Sequence, residues 1–316
     1  MDRFYSNGKL LLTGEYVVLD GATSLAVPTK FGQDLTIEPI KEPQLIWGSF
    51  TNTGKCWFEA TFDLPNLRLT SATFSSDKEG SAEFIAETLS DILQETKKLN
   101  SNFLNSENGF IVKTNLTFPQ NWGLGSSSTL INNIATWANV NPFTLLWNAF
   151  SGSGYDIACA SNNSPILYQL KKNLSTTLEM TPIVSEVKFN PNFKDELFFV
   201  YLNQKQNSRE GIAHYKQHRE VAKNLIPEIN KLTQEFLKAN SSLNLNKIIF
   251  EHEQLISSII KQTPVKKRLF PDYFGEIKSL GAWGGDFVLA TGNDNTLPYF
   301  KQKGYDTIVP YKEMVL

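Results

Sequence analysis

Residues 121–140 read NWGLGSSSTLINNIATWANV, and Gly123, Gly125, Ser126, Ser127 and Ser128 stand directly before a segment with helical spacing. A turn into a helix needs one glycine and one capping serine, so the surplus points to a ligand. A helix start presents unpaired backbone N–H groups and a partial positive charge, which suit an anion. Gly123 and Gly125 let the backbone approach a phosphate with no Cβ in the way. The serine hydroxyls can donate to phosphate oxygens, and one of them could reach Mg²⁺.

The two familiar phosphate loops do not match. A Walker loop ends in Gly-Lys-Ser/Thr, which is absent here, and a dinucleotide fingerprint needs a third small residue where GLGSSS has only serine. By itself the turn is equally an ordinary capped helix start. Two further segments bear on it. SNGKLLLTGEYVVLDG places Lys9 after one glycine and Glu15 after another, and SGSGYDIACA flanks Asp156 with glycine and small residues. A lone lysine or aspartate is most often a surface charge, whereas the three segments together resemble a known arrangement.

The surrounding pattern supplies the elements. Phe110, Val112, Thr114, Leu116 and Phe118 alternate with the period of a half-buried strand, and Pro119 ends it. Leu130, Ile131, Ile134, Ala135 and Ala138 then share a helical face, so the glycines and serines lie between a strand and a helix. Upstream, KLLL, YVVL and SLAVP read as short strands broken by turns. Phe84, Ile85, Thr88, Leu89, Ile92 and Leu93 predict an amphipathic helix over 81–99, ending on Lys97 and Lys98. Beyond residue 185 the pattern restarts with a strand in DELFFVYLN. Helical spacing follows over 209–262, and a glycine cluster, GAWGGDFVLATG, comes after it.

A chain of 316 residues with 41% hydrophobic content and a formal net charge of −2 is an ordinary globular protein of about two domains. The near-balanced charge gives no basic surface for nucleic acid or an anionic membrane. The longest apolar run is LFFVYL, far short of a membrane span, and the N-terminus MDRFYSNGK lacks the apolar core of a signal peptide. Cys56 and Cys159 are too few for a disulfide framework. A cytoplasmic protein that binds neither nucleic acid nor membrane is expected. His214 and His218 are four apart, as zinc ligands can be. They lack the H-E-x-x-H pattern and a nearby cysteine, so a helix face is the simpler reading.

The sequence resembles the GHMP kinases, the family of galactokinase, homoserine kinase, mevalonate kinase and phosphomevalonate kinase. The resemblance rests on GKLLLTGEYVVL, GLGSSS, SGSGYDIA and GAWGGDF, which occur in family order over residues 7–290. It implies an α+β fold of two domains, 1–185 with a βαβ unit and the ATP-binding motifs, and 186–316 with a ferredoxin-like arrangement. It also implies transfer of the γ-phosphoryl of ATP, with Mg²⁺, to a small-molecule acceptor. Carried over by position, Asp156 would orient or deprotonate the acceptor and Lys9 would stabilise charge at the γ-phosphate. Gly123, Leu124, Gly125, Ser126, Ser127 and Ser128 would wrap the triphosphate, with Ser127 on the metal. Ser153, Gly154, Tyr155, Arg209, Gly281, Gly284 and Gly285 would meet the acceptor. Many members of the family dimerise, so a homodimer is among the expected assemblies.

Tyr16 and the GG-Asp motif are similar to the phosphomevalonate kinases, and Arg209, Lys216 and Arg219 could meet a phosphorylated acceptor. Mevalonate is the alternative acceptor. A homologue that binds nucleotide or metabolite without turnover is the competing class, against which the intact Lys9 and Asp156 argue. The chain also departs from the family. About thirty residues separate the serine turn from Asp156, a short interval in which LLWNAF offers no metal-binding glutamate. Trp283 replaces a usual glycine and is expected to narrow the substrate end.

Overall fold

The computed structural model describes residues 1–75, 82–105, 107–172, 180–204, 208–283 and 285–316, with the side chains of 172, 208–210 and 221 left aside. By packing, the chain sorts into two compact units. The first comprises Met1–Gly8, Phe31–Gln120 and Leu124–Ser161, and the second Lys9–Lys30, Asn121–Gly123 and Asn162–Leu316. Strands β1 (Asp2–Leu11) and β2 (Ser24–Ile40) run through both.

In the first unit β3 (Gln44–Phe50), β4 (Cys56–Asp63), β5 (Arg68–Phe74) and β6 (Gly109–Leu116) join β2 in the order β5-β4-β3-β6-β2. β3 and β6 run parallel and the other neighbours antiparallel. Parallel neighbours need a long crossover, here β4, β5 and helix α1 (Ala82–Leu99). Helices α2 (Ser126–Trp137), α3 (Pro142–Ala149) and α4 (Tyr155–Ser161) follow, and the four helices pack against one another. Leu89, Ile92 and Leu93 of α1 enter one core with Trp47, Phe62 and Val112 of the sheet and Ile131 and Ile134 of α2. Each such side chain removed from water stabilises the unit by about 2 kcal/mol before entropy is counted. The α1 face differs from the expected one at its start, because Phe84 is 60% exposed and Ala86 is buried instead.

In the second unit β7 (Ile166–Lys172) pairs antiparallel with residues 24–26 of β2 and with β8 (Met180–Glu186), where the boundary expected near 185 falls. β9 (Leu197–Tyr201) begins the second sheet. α5 (Ser208–Lys216), α6 (Arg219–Leu237), α7 (Ser242–Ile260) and α8 (Val265–Leu269) precede β10 (Ile277–Ser279) and β11 (Phe287–Thr291). α9 (Thr296–Gln302), β12 (Ile308–Pro310) and α10 (Tyr311–Met314) complete the chain. The sheet order β10-β11-β9-β12, antiparallel throughout, is that of a ferredoxin-like βαββαβ unit with additional helices. The chain is α+β, as its pattern implied. YVVL is not a strand. Val17–Asp20 forms a 3-10 turn after Tyr16, whose φ of 64° already breaks the extended path.

Candidate active site

Strand β6 and helix α2 bracket the glycine-serine turn, as the spacing predicted. Gly125 is the N-cap of α2 at φ 94°, ψ 44°, with no side-chain cap and no acidic residue in the first turn. The first-turn N–H groups therefore point out of the helix end without a side-chain acceptor, the arrangement an anion satisfies. The three serines differ. Ser127 is exposed and Ser126 half-buried. Ser128 is buried, and its Oγ donates to the carbonyl of Gly125 at 2.9 Å. Leu124 lies in the core, so it offers the turn only its backbone.

A buried polar network holds α2 from beneath, within the first unit. Thr129 Oγ1 donates to Gln33 Oε1 at 2.6 Å, and Gln33 Nε2 donates to Thr114 Oγ1 at 2.6 Å. Asn133 Nδ2 donates to the Gln33 carbonyl at 3.0 Å, while Ser6 Oγ donates to Asn133 Oδ1 and accepts from Asn132 Nδ2. Satisfied buried networks fix one arrangement, because each broken bond would strand a desolvated group. Strands β1, β2 and β6 thus set the rotation of α2 and the heading of its first turn.

The segment leading into the turn, Asn121–Gly123, packs in the second unit. Lys9 Nζ donates to the Gly123 carbonyl at 2.8 Å. Tyr201 Oη donates to the Asn121 carbonyl at 3.1 Å, and the Trp122 ring packs on Tyr201 and edge-on to Phe287. Gly123 has φ 66°, and a Cβ on it would lie 2.4 Å from Cγ of Asp286. Glycine is required there both for the backbone and for the carboxylate resting against it. Burial and the nearby Asp286 push the Tyr201 phenol up, which keeps it a donor.

Asp156 stands half-buried in the first turn of α4, its Oδ1 accepting from the N–H of Ile157 at 3.1 Å. Ser153 and Gly154 are buried and Tyr155 half-buried. Helix α4 packs directly on α2, so the aspartate and the serine turn belong to one helical layer of the first unit.

No protein-family model matches the sequence, and no curated protein matches it. Solved structures match over nearly its whole length. The mevalonate kinase of Methanococcus jannaschii aligns with a TM-score of 0.67 at 17% identity, covering 97% of this chain and 96% of that one. The Streptococcus pneumoniae phosphomevalonate kinase, solved with phosphomevalonate and AMPPNP, gives 0.66 at 18% identity over 96% of each chain. Lactococcus lactis galactokinase, solved with galactose, gives 0.64 at 14% identity over 96% of this chain and 88% of its own. This is the GHMP kinase fold.

Within this GHMP kinase fold several expected residues fall elsewhere. Trp283 is 1% exposed and packs with Val17, Ile256 and Ile259, so it fills the second unit's core and narrows no opening. Its glycine turn opens with Gly281 at φ 57°, Gly285 is buried, and Gly284 lies outside the described residues. Arg209 is in α5, but its side chain also lies outside the described residues. Arg219 does not wait for a phosphate. Its Nε donates to Oδ1 of buried Asp20 at 2.6 Å and its Nη2 to the same oxygen, while Tyr215 Oη donates to Oδ2. His214 and His218 direct Nε2 and Nδ1 to the carbonyls of Ile260 and His214.

Sequence reading missed a fully buried ionic cluster in the second unit. Lys278 Nζ lies 2.5 Å from Glu15 Oε1 and 3.0 Å from Glu253 Oε1. Ser279 Oγ donates to Glu253 at 2.6 Å, and His252 Nε2 accepts from the Gly14 N–H at 3.1 Å. Burial raises the Glu15 carboxyl to about 7 against the pull of Lys278 and holds the His252 ring well below its ordinary value. The cluster ties the turn after β1 to α7 and β10. Gly14 and Glu15 sit some 240 to 260 positions before His252 and Lys278, so no local spacing announces the cluster. Asp286 entered the sequence reading only as part of the GG-Asp motif, with no role of its own.

Proposed function

We propose that this chain is a small-molecule kinase of the GHMP type that transfers the γ-phosphoryl of ATP to a mevalonate-type acceptor, phosphomevalonate being favoured. The observation that carries the reading is the glycine turn itself, with Lys9 on the Gly123 carbonyl and an uncapped α2 N-terminus behind it. Phosphoryl transfer is catalysed by positioning and charge stabilisation, which these groups supply. In this reading residues 123–128 hold the triphosphate through backbone N–H groups, and Ser127, the exposed hydroxyl, faces its cation. Lys9 stabilises charge developing on the transferred group, and Asp156 orients or deprotonates the acceptor hydroxyl.

Mg²⁺ accompanies ATP in this chemistry and neutralises part of the phosphate charge when bound. Among the described residues no three His, Cys, Asp or Glu side chains group as a ready-made metal site. In this reading the cation is held chiefly by phosphate oxygens and Ser127. The cytoplasmic location and the homodimer implied by the resemblance belong to the same proposal.

Tyr16 and the GG-Asp motif support phosphomevalonate. The engagement of Arg219 by Asp20 favours a second reading, an unphosphorylated mevalonate-type acceptor, since it removes one cation from the expected phosphate site. A coupled ADP-release assay with ATP and Mg²⁺ separates them. Turnover on phosphomevalonate supports the first reading, and turnover on mevalonate alone the second. Binding of AMPPNP with no turnover on any acceptor would instead indicate a non-catalytic homologue.

A further inference from the structure

Residues 121–123 belong to neither a strand nor a helix, so no ladder or helical bonds set the path by which the chain enters the glycine-serine turn. The segment ends on Gly123, and glycine loses more conformational freedom on ordering than any other residue. Its path is set by side chains that come from elsewhere in the second unit.

Two strands of the second sheet supply the grip. Tyr201 of β9 and Phe287 of β11 are direct partners across the ladder, with ring centroids 5.4 Å apart. Phe287 is fully buried and Tyr201 nearly so. The Trp122 ring stands edge-on to Phe287, centroids 5.3 Å apart at 85°, and lies 6.4 Å from Tyr201 at 38°. At these separations aromatic pairs attract beyond the area they bury. The Tyr201 hydroxyl also donates to the Asn121 carbonyl at 3.1 Å. Asn121 is thus held through its backbone and Trp122 through its side chain, by the same pair of rings. All four residues belong to the second unit.

Trp122 immediately precedes Gly123, whose carbonyl takes the Lys9 ammonium at 2.8 Å. With Asn121 and Trp122 fixed on one side and Lys9 on the other, Gly123 keeps little of its freedom. A turn ordered before its ligand arrives has less entropy to lose on binding, and the difference appears as affinity. We propose that Trp122, gripped by the Tyr201–Phe287 pair, is a positioning residue that pre-orders the glycine turn for the phosphates of a nucleotide. The inference rests on the nucleotide reading of the turn given above.

Calorimetric titration of the full chain with AMPPNP and Mg²⁺ tests it, beside a urea midpoint for each variant. Trp122→Ala removes the ring and should weaken binding about tenfold or more. Trp122→Phe returns an aromatic ring to the same pair and should bring the affinity back to within about threefold of the wild type. Tyr201→Phe keeps its ring and removes only the hydroxyl. It should weaken binding about threefold to tenfold, and it keeps the test decisive if Trp122→Ala does not fold. Affinities within about twofold of the wild type in folded Trp122→Ala and Tyr201→Phe, whatever their urea midpoints, would reduce the three rings to packing and overturn the proposal. A loss in Trp122→Ala that Trp122→Phe leaves unrepaired would overturn it too. Failure of the wild type to bind AMPPNP would overturn the nucleotide reading and the proposal with it, an outcome distinct from wild-type binding that is indifferent to the rings.

Discussion

Lys9 and Gly123 are joined by a hydrogen bond of 2.8 Å from the lysine ammonium to the glycine carbonyl. An ammonium on the carbonyl that leads into the glycine-serine turn both fixes the turn and places a positive charge beside it. Lys9→Met keeps the stem and removes the charge. It is expected to lower kcat by about 10²–10³-fold, the usual loss of one preorganised charge stabiliser, with the fold retained by circular dichroism. A drop of less than threefold would remove Lys9 from the chemistry.

Gln33 is expected to act on the same turn from below. Its side chain accepts from Thr129 and donates to Thr114, both within a buried network. Gln33→Leu takes the donor from Thr114 and one acceptor from Thr129, which keeps the Gly125 and Ser126 carbonyls, at a cost of about 1–3 kcal/mol in urea denaturation. Because Thr129 lies in the first turn of α2, AMPPNP affinity should fall with it. A variant as stable as the wild type and with unchanged affinity would show that α2 is held by apolar packing alone.

The Glu15 carboxyl makes a pH prediction. Its folded value is raised from 4.5 to about 7, so the folded chain holds a proton there that the unfolded chain has already lost. That contribution to stability is complete below about pH 4.5 and is lost as pH rises through about 7. His252 works the other way. Its lowered value costs stability below about 6.5, where only the unfolded chain takes the proton. Glu15→Gln removes the first effect and leaves Lys278 paired one-to-one with Glu253. Between pH 5 and pH 8 the wild type should lose about 1–3 kcal/mol relative to this variant in urea midpoints. Parallel pH profiles would contradict a titrating Glu15.

Arg219 is assigned to stability and not to the acceptor. Arg219→Ala removes the guanidinium from Asp20, whose side chain is 4% exposed. Solvent screening of the partly exposed guanidinium moderates the loss, which should be about 1–2 kcal/mol. The KM for phosphomevalonate should stay within twofold. A large rise in KM without loss of stability would return Arg219 to the acceptor site.

The sequence disclosed what is periodic and local. Val112, Thr114 and Leu116 alternate inward as expected, and Ile131, Ile134 and Ala135 face the core. The turn between them is legible because glycine and serine types at a helix start have few other uses. Contacts distant in sequence were not legible. Asn132 and Asn133 drew no reading from the sequence, yet they are buried in the network with Ser6 and Gln33. Trp283 read as an obstacle because its position in a motif suggested an opening, while the left-handed backbone at φ 61° turns it into the core. Lys278 carried no signal at all, since only the fold brings Glu15 and Glu253 to it.

The central claim is that the chain moves the γ-phosphoryl of ATP to a small acceptor, and ³¹P NMR of the reaction tests it most directly. With ATP, Mg²⁺ and phosphomevalonate, the wild type should convert the acceptor monophosphate signal into a diphosphate pair in step with ADP. Asp156→Asn should bind AMPPNP but leave the spectrum unchanged. Phosphoryl transfer by Asp156→Asn at the wild-type rate, or no transfer by the wild type to phosphomevalonate, mevalonate or any other small hydroxyl acceptor, would contradict the account.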